Sequence, residues 1–335
     1  MTEHRPPAPA PNPTPAPAPN PTPVQPPAPA LPGLGPLALA RGTLDRASER
    51  RTDPEWLDRA WADPGSRVLV VDHGRALVRF APHPALVLLP PSQAPDGPHY
   101  FLGLDDDGRA YFSVRAPLAA AAAGPGTDGA RPADLRQSGA LLGDRDSGLL
   151  THAVALDNWH ATHTHCPRCG ALTEVVPGGH ARICPVDGSE HFPRTDPAVI
   201  TLVTDDADRA LLARNASWPE RRVSILAGFV EPGESAEQAV TREVAEEAGI
   251  VVGDIRYLGS QPWPMPRSLM LGFWARAAGG QPIHVDEEEI AEAHWFSRDG
   301  LRAAMAAGEI RLPPPVSIAH RIIEAWYGAE LPAQW

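Results

Sequence analysis

The stretch "GFVEPGESAEQAVTREVAEEAGI", Gly228–Ile250, decides the fold. Ser235, followed three residues on by Gln238, is a capping-box pattern, so a helix begins here. Ala236, Ala239, Val240, Val244 and Ala248 recur at helical spacing as a small apolar stripe, and Gly249 suits the C-terminal stop. On that helix Glu243, Glu246 and Glu247 stand at i, i+3 and i+4 and share a face. Most such charge runs are solvated faces. Three neighbouring carboxylates nevertheless repel one another unless cations sit among them, and Mg²⁺ takes carboxylate oxygens together with water and substrate phosphate. Glu234 at the helix start extends the cluster, and Arg242 is placed to hold its carboxylate. The loop Gly228–Gly233 lets backbone approach a ligand closely.

The whole spacing is G-x5-E-x7-R-E-U-x-E-E-x-G-U, with U aliphatic. Gly228, Glu234, Arg242, Glu243, Val244, Glu246, Glu247, Gly249 and Ile250 fill every fixed position. The stretch therefore resembles the Nudix box. That resemblance implies metal-dependent hydrolysis, with Mg²⁺ or Mn²⁺, of a nucleoside diphosphate linked to another group. In "SQPWPMPRS", Ser260–Ser268, three prolines stiffen what reads as a loop and Trp263 offers a flat surface. Alone this is an ordinary Pro-rich loop with a core Trp. Following the box, it resembles the S-Q-P-W-P-F-P-x-S signature of NADH pyrophosphatases, with Met265 where Phe is usual; Met is adaptable enough to serve. "ALDNWHATHTHCPRCG", "HFPRTDPAVI" and "LPPPVSIAHRIIE" extend the resemblance continuously from about Ala155 to Trp326.

The resemblance implies cleavage of NADH or NAD⁺ to AMP and nicotinamide mononucleotide, and action on NAD caps at RNA 5′ ends. It implies catalytic Glu243, Glu246 and Glu247, with Glu289 as a further ligand of the Mg²⁺ or Mn²⁺. Glu289 lies in "DEEEIAEAHW", read here as an acidic stretch after the last strand. As general base, Glu246 or Glu247 is favoured over Glu243. Substrate contacts implied are Phe192, Ala227, Gln261, Pro262, Trp263, Pro264, Met265, Pro266, Arg267, Ser268 and Ala319. Phe229 is a candidate to stack on a ring, or an ordinary core Phe. A homodimer is also implied. The rival readings are a Nudix hydrolase for ADP-ribose or a related compound, and an inactive binding protein on the same scaffold.

Cys166 and Cys169 in "HCPRCG" are spaced as half of a zinc site, and Cys184 in "ICPVDG" opens the other half. The resemblance places all three on a zinc ribbon and puts Asp187 on the fourth position. Three thiolates and a carboxylate can hold Zn²⁺, although oxygen is the harder ligand. His180 and His191, and more remotely His163 and His165, are alternatives to Asp187; loss of zinc is the third possibility.

Around these motifs the chain reads as an α/β protein. The expected architecture is a Nudix α/β/α sandwich with a mixed sheet, preceded by a zinc-ribbon-like segment and a mixed β-rich N-terminal domain. The boundaries are a Pro/Ala-rich tail over 1–36, an N-terminal domain over 37–162, the ribbon over 163–193 and the Nudix domain over 194–328. The tail repeats "PAPAPNPTP"-like units and is expected to be disordered. "SRVLVVDHGRALVRF" and "ALVLLP" read as strands, "HYFLGLDDDGRAYFSV" as a hairpin turning at "DDDG", and 133–163 as helix with a Gly-containing interruption. "AVITLVT", "RALLAR", "DIRYLG" and "LMLGFWARA" read as further strands, with a closing helix after "RLPPP". The net charge of −12 over 335 residues, without a basic stretch, disfavours a protein that grips long nucleic acid by its phosphates. An odd three cysteines argue for a reduced, cytoplasmic setting, and no apolar run is long enough to span a membrane.

Overall fold

The computed structural model describes residues 33–121 and 126–331. The expected tail lies outside the described residues up to position 32. The N-terminal domain opens with helix α1, Pro54–Ala62, capped by Asp53, whose carboxylate accepts the Trp56 N–H at 2.9 Å. Strands β1 (Arg67–Val71), β2 (Arg75–Arg79), β3 (Ala85–Leu86) and β4 (Leu88–Leu89) follow. "ALVLLP" is thus not one strand: β3 pairs with β2 and β4 with β1, so the chain passes from one sheet to another at Val87. The expected hairpin forms from β5 (His99–Leu104) and β6 (Ala110–Arg115), with the Asp105 carboxylate accepting the N–H groups of Asp107 and Arg109 in its turn.

Helix α2 (Leu118–Ala121), strand β7 (Ala130–Asp134), and helices α3 (Leu135–Ser138) and α4 (Asp144–Thr162) complete this part. The stretch expected to be helical from 133 therefore starts as the end of β7, and the interruption falls between α3 and α4. The strands form two sheets, ordered β4-β1-β6-β5 and β3-β2-β7. Leu149, Leu150, Ala153, Val154 and Leu156 of α4 are buried in their shared core.

The ribbon is a three-stranded sheet of β8 (Glu174–Val175), β9 (Arg182–Ile183) and β10 (Glu190–His191), ordered β10-β9-β8. Beyond it run β11 (Asp196–Thr204), β12 (Ala210–Asn215), β13 (Leu226–Phe229), α5 (Ala236–Ala248), β14 (Val252–Trp263), β15 (Ser268–Ala277), β16 (Ile290–Phe296), α6 (Arg298–Ala306) and α7 (Ile318–Tyr327). Their sheet has the order β14-β15-β11-β12-β16, with β13 paired to β11. It is mixed: β11 and β15 are parallel and the other pairs antiparallel.

Successive residues of a strand face opposite ways. Phe273 of β15 packs with Val240 and Val244 of α5, whereas a Cβ on Gly272 would meet Ile318 and Ile322 of α7. The two helices therefore cover opposite faces, which makes the α/β/α sandwich. Two expectations need correction here. The Pro-rich segment is largely strand, because β14 stays paired to β15 through Trp263, and the turn is confined to 264–267. "DEEEIAEAHW" does not follow the last strand: Glu289 immediately precedes β16, which pairs with β12.

Candidate active site

Helix α5 begins and ends as its sequence dictates. Ser235 and Gln238 close the capping box in both directions, and Gly249 stops the helix at φ 67°. Ala239, Val240, Val244 and Ala248 are buried beneath it, and Glu243 and Glu246 both reach Arg242 on the other side, with Glu243 against Gly228 of β13. Arg242 organises the carboxylates. Its guanidinium donates to Glu234 at 2.7 and 2.8 Å, to Glu243 at 2.9 Å, to Glu246 at 3.0 Å and to the Phe229 carbonyl at 2.9 Å. This pairing pulls the Glu234 carboxyl down to about 2. Gly228 lies so close to Glu243 that any Cβ there would overlap the carboxylate.

Glu247 is the most deeply placed of the three, 6% exposed. Burial, and then the charges of Glu243, Glu289 and Glu246, push its carboxyl up to about 8, against a hydrogen bond from the Ala227 N–H. Burial likewise raises Glu243, opposed by Arg242 and assisted by Glu246 and Glu289. Glu289 thus acts electrostatically on the same cluster. Glu247 Oε2 is buried without a hydrogen-bond partner. An unpaired buried carboxylate oxygen among like charges suits a hard divalent cation, which supplies the missing partner and offsets the repulsion.

The implied substrate contacts fall into separate groups. Phe192 and Phe229 are exposed rings, at 65% and 57%. Trp263 and Met265 lie against the core of the N-terminal domain, and Asn158 of α4 donates to the carbonyls of Pro264 and Pro266 at 2.8 and 3.0 Å. Arg267 is paired to Asp196 at 2.6 Å, and Ser268 opens β15. Gln261 is fully buried: its amide oxygen accepts the Leu39 N–H at 3.3 Å and its nitrogen donates to the Val316 carbonyl at 3.0 Å. Ala319 is buried in the first turn of α7. Pro262 lies away from the carboxylates, in a second cavity with Ser260 and His152.

A cleft of about 440 Å³ runs from Ala227 past Trp263, Ile200 and Met270. Its other walls include Arg136 of α3 and Trp218 and Arg222 of the segment between β12 and β13. Nothing in the spacing of these three residues marked them, since each comes from a different part of the chain or from an irregular segment.

In the ribbon, Cys166, Cys169, Cys184 and Asp187 present ligand atoms that all lie within 4.8 Å of one another. Two matching turns build the set. In the first, the Gly170 N–H donates to the Cys166 carbonyl; in the second, the Gly188 N–H donates to the Cys184 carbonyl, both at 2.9 Å. Gly170 and Gly188 have φ of 75° and 70°, so Asp187 occupies in the second turn the place of Cys169 in the first. Hydrogen bonds from Ser189 hold the Asp187 carboxyl well below the usual carboxylate range. His180 instead bonds the Phe101 carbonyl at 2.8 Å, and His191 meets the Ser189 hydroxyl at 3.2 Å. The donor set therefore fits Zn²⁺ with Asp187 in the fourth position.

Residues 194–314 match the NUDIX domain family, 161–192 the NADH pyrophosphatase zinc ribbon domain, and 65–159 the NADH pyrophosphatase-like rudimentary NUDIX domain. The chain is 46% identical over 311 residues to the NAD-capped RNA hydrolase NudC of Mycobacterium bovis (strain BCG / Pasteur 1173P2), covering 87% of this chain and 95% of that protein. It is 45% identical over 311 residues to the protein of the same name from Mycobacterium tuberculosis (strain ATCC 25177 / H37Ra), with the same coverage. The NAD-capped RNA hydrolase NUDT12 of Pongo abelii is 39% identical over 197 residues, 55% of this chain and 42% of that protein.

Proposed function

Because the chain belongs to the Nudix hydrolases, in the family of the NADH pyrophosphatases and NAD-capped RNA hydrolases, we propose that it splits the central pyrophosphate of NADH and NAD⁺. Water adds across the bond to give AMP and nicotinamide mononucleotide, and the same bond is cut in an NAD cap on RNA. The observation that carries this reading is the arrangement of Glu243, Glu246 and Glu247, with Glu289 acting on them, beside a cleft walled by Trp263.

Mg²⁺ or Mn²⁺ would be held by Glu243, Glu247 and Glu289, with Glu246 beside them, and would supply charge neutralisation and a more acidic water. The protein's own part is positioning. The Arg242 guanidinium fixes Glu234, Glu243 and Glu246, and the Ala227 N–H fixes Glu247. The Glu246 side chain is 59% exposed, against 13% for Glu243, and Arg242 engages one of its oxygens. Glu246 is therefore assigned to accept the proton of the attacking water. Trp263 walls the cleft, and the exposed rings of Phe192 and Phe229 are available to stack.

On this reading Zn²⁺ at Cys166, Cys169, Cys184 and Asp187 is structural, the working unit is a cytoplasmic homodimer, and the domains divide at 37–162, 163–193 and 194–328. No helix among the described residues is long and apolar enough to cross a membrane. The test is product analysis with purified protein, Mg²⁺ or Mn²⁺, and NADH beside ADP-ribose. AMP plus reduced mononucleotide supports the proposal; a clear preference for ADP-ribose overturns it. Mass in solution by light scattering tests the dimer.

A further inference from the structure

The cleft beside Ala227 holds two cations that the reaction described above leaves unused. The Arg136 guanidinium lies 5.0 Å from the centre of the Trp263 ring, and that of Arg222 lies 4.7 Å from the centre of Trp218. Both arginines line the same cleft, and no Asp or Glu lines it with them. Neither is ion-paired to another described residue. Some other arginines of the described residues do pair with acids, as in Arg41–Asp144, Arg214–Glu292 and Arg298–Asp208. With 41 Asp and Glu in the sequence, acidic partners were not scarce. Burial, and then the charge of Arg136, lowers the pKa of Arg222, so the two guanidiniums feel one another. Arg136 is exposed and Arg222 half-buried, so their repulsion is partly screened, and an anion bridging them is favoured chiefly through charge-assisted hydrogen bonds to both forks. The indole faces beneath hold both forks in place before the anion arrives.

The cleft leads to the reacting centre, because Ala227 lines it and its N–H holds Glu247. The scissile pyrophosphate belongs at the carboxylates with the metal. An anion between Arg136 and Arg222 is therefore a different group. The mononucleotide half of the substrate carries no phosphate besides the scissile one. The adenosine half carries a further one only where its ribose 2′ or 3′ hydroxyl is esterified. We propose that Arg136 and Arg222, on Trp263 and Trp218, clamp a second phosphate on the ribose of the adenosine half of the substrate. The 3′ phosphodiester of an NAD-capped RNA and the 2′ phosphate of a phosphorylated dinucleotide share this chemistry. The inference rests on the reading of the pyrophosphate as the scissile bond.

Calorimetric titration of the full chain with AMP, adenosine 2′,5′-bisphosphate and adenosine 3′,5′-bisphosphate tests it without turnover. At least one bisphosphate binds about tenfold or more tightly than AMP, the worth of a charge-assisted pair. The 3′ isomer winning points to RNA, and the 2′ isomer to the phosphorylated dinucleotide. The preference disappears in the R136Q/R222Q double variant and survives in R136K/R222K, which keeps both charges. Equal binding of all three nucleotides to the wild type, or a preference that persists in R136Q/R222Q, overturns the clamp. Absence of NADH turnover in a wild type that still prefers a bisphosphate instead refutes the assigned reaction, so the two failures are distinguishable.

Discussion

A Cβ placed on Gly228 would occupy the space of the Glu243 carboxylate, so this position is small for reasons of room and not of backbone conformation. Gly228→Ala should displace Glu243 and cost about 1–3 kcal/mol of stability, the usual range for overpacking. Urea denaturation measures the stability, and NADH turnover falls in the same variant. Glu247 presents the opposite case. Its buried Oε2 has no partner, and the carboxyl is pushed up to about 8, so the metal-free protein carries a strained group that metal relieves. Glu247→Gln should lower turnover by about 100-fold or more, as for loss of a group that stabilises transition-state charge. Its melting temperature in chelator should not fall, because at neutral pH the raised carboxyl is already mostly protonated without metal and the amide keeps the site neutral. The rise in melting temperature on adding Mn²⁺ should shrink. Unchanged turnover would refute the role of Glu247.

At the scale of elements, the ribbon and α5 were legible in different degrees. The caps, stripe and carboxylate face of α5 follow from spacing within one helix, since residues three and four apart must share a face. The fourth zinc ligand was not readable this way, because Asp187, His180 and His191 are all near enough in sequence. The paired turns around Gly170 and Gly188 bring the Asp187 carboxylate within 4.8 Å of the three sulfurs, while His180 is committed to the Phe101 carbonyl. Asp187→Ala should reduce zinc content below about one per chain and increase sensitivity to chelators, whereas Asp187→Cys should retain zinc more firmly. Metal analysis of the reduced protein decides this. The strand character of β14 through Trp263 was also hidden. Prolines argue against a strand locally, but pairing with β15 and the bonds from Asn158 hold the segment in register.

For the whole molecule, buried neutral histidines join the ribbon to the N-terminal domain. His160 of α4 bonds the Gly179 carbonyl at 2.8 Å through Nε2 and meets Arg182 at 3.1 Å through Nδ1. Arg182 can only donate, so Nδ1 accepts and the proton sits on Nε2. Burial is the first cause that lowers His160 and His180, each to about 4. The unfolded chain therefore binds more protons between the ordinary histidine value of about 6.5 and the folded value. Stability is fully present above the ordinary value and is lost as pH falls toward 4. A melting temperature that stays level across this window would contradict the assignment.

What the sequence determined by itself was local: the helix that aligns Glu243, Glu246 and Glu247, the glycine that ends it, and the cysteine turns of the ribbon. These depend on spacings of a few residues, where backbone geometry leaves little choice. Only the tertiary structure decided that Gln261 ties Leu39 to Val316, that Asn158 holds the Trp263 hairpin, and that Arg136 meets Arg222 in one cleft. Those meetings depend on how distant elements pack. No local propensity records that two like charges from separate parts of the chain will face the same space.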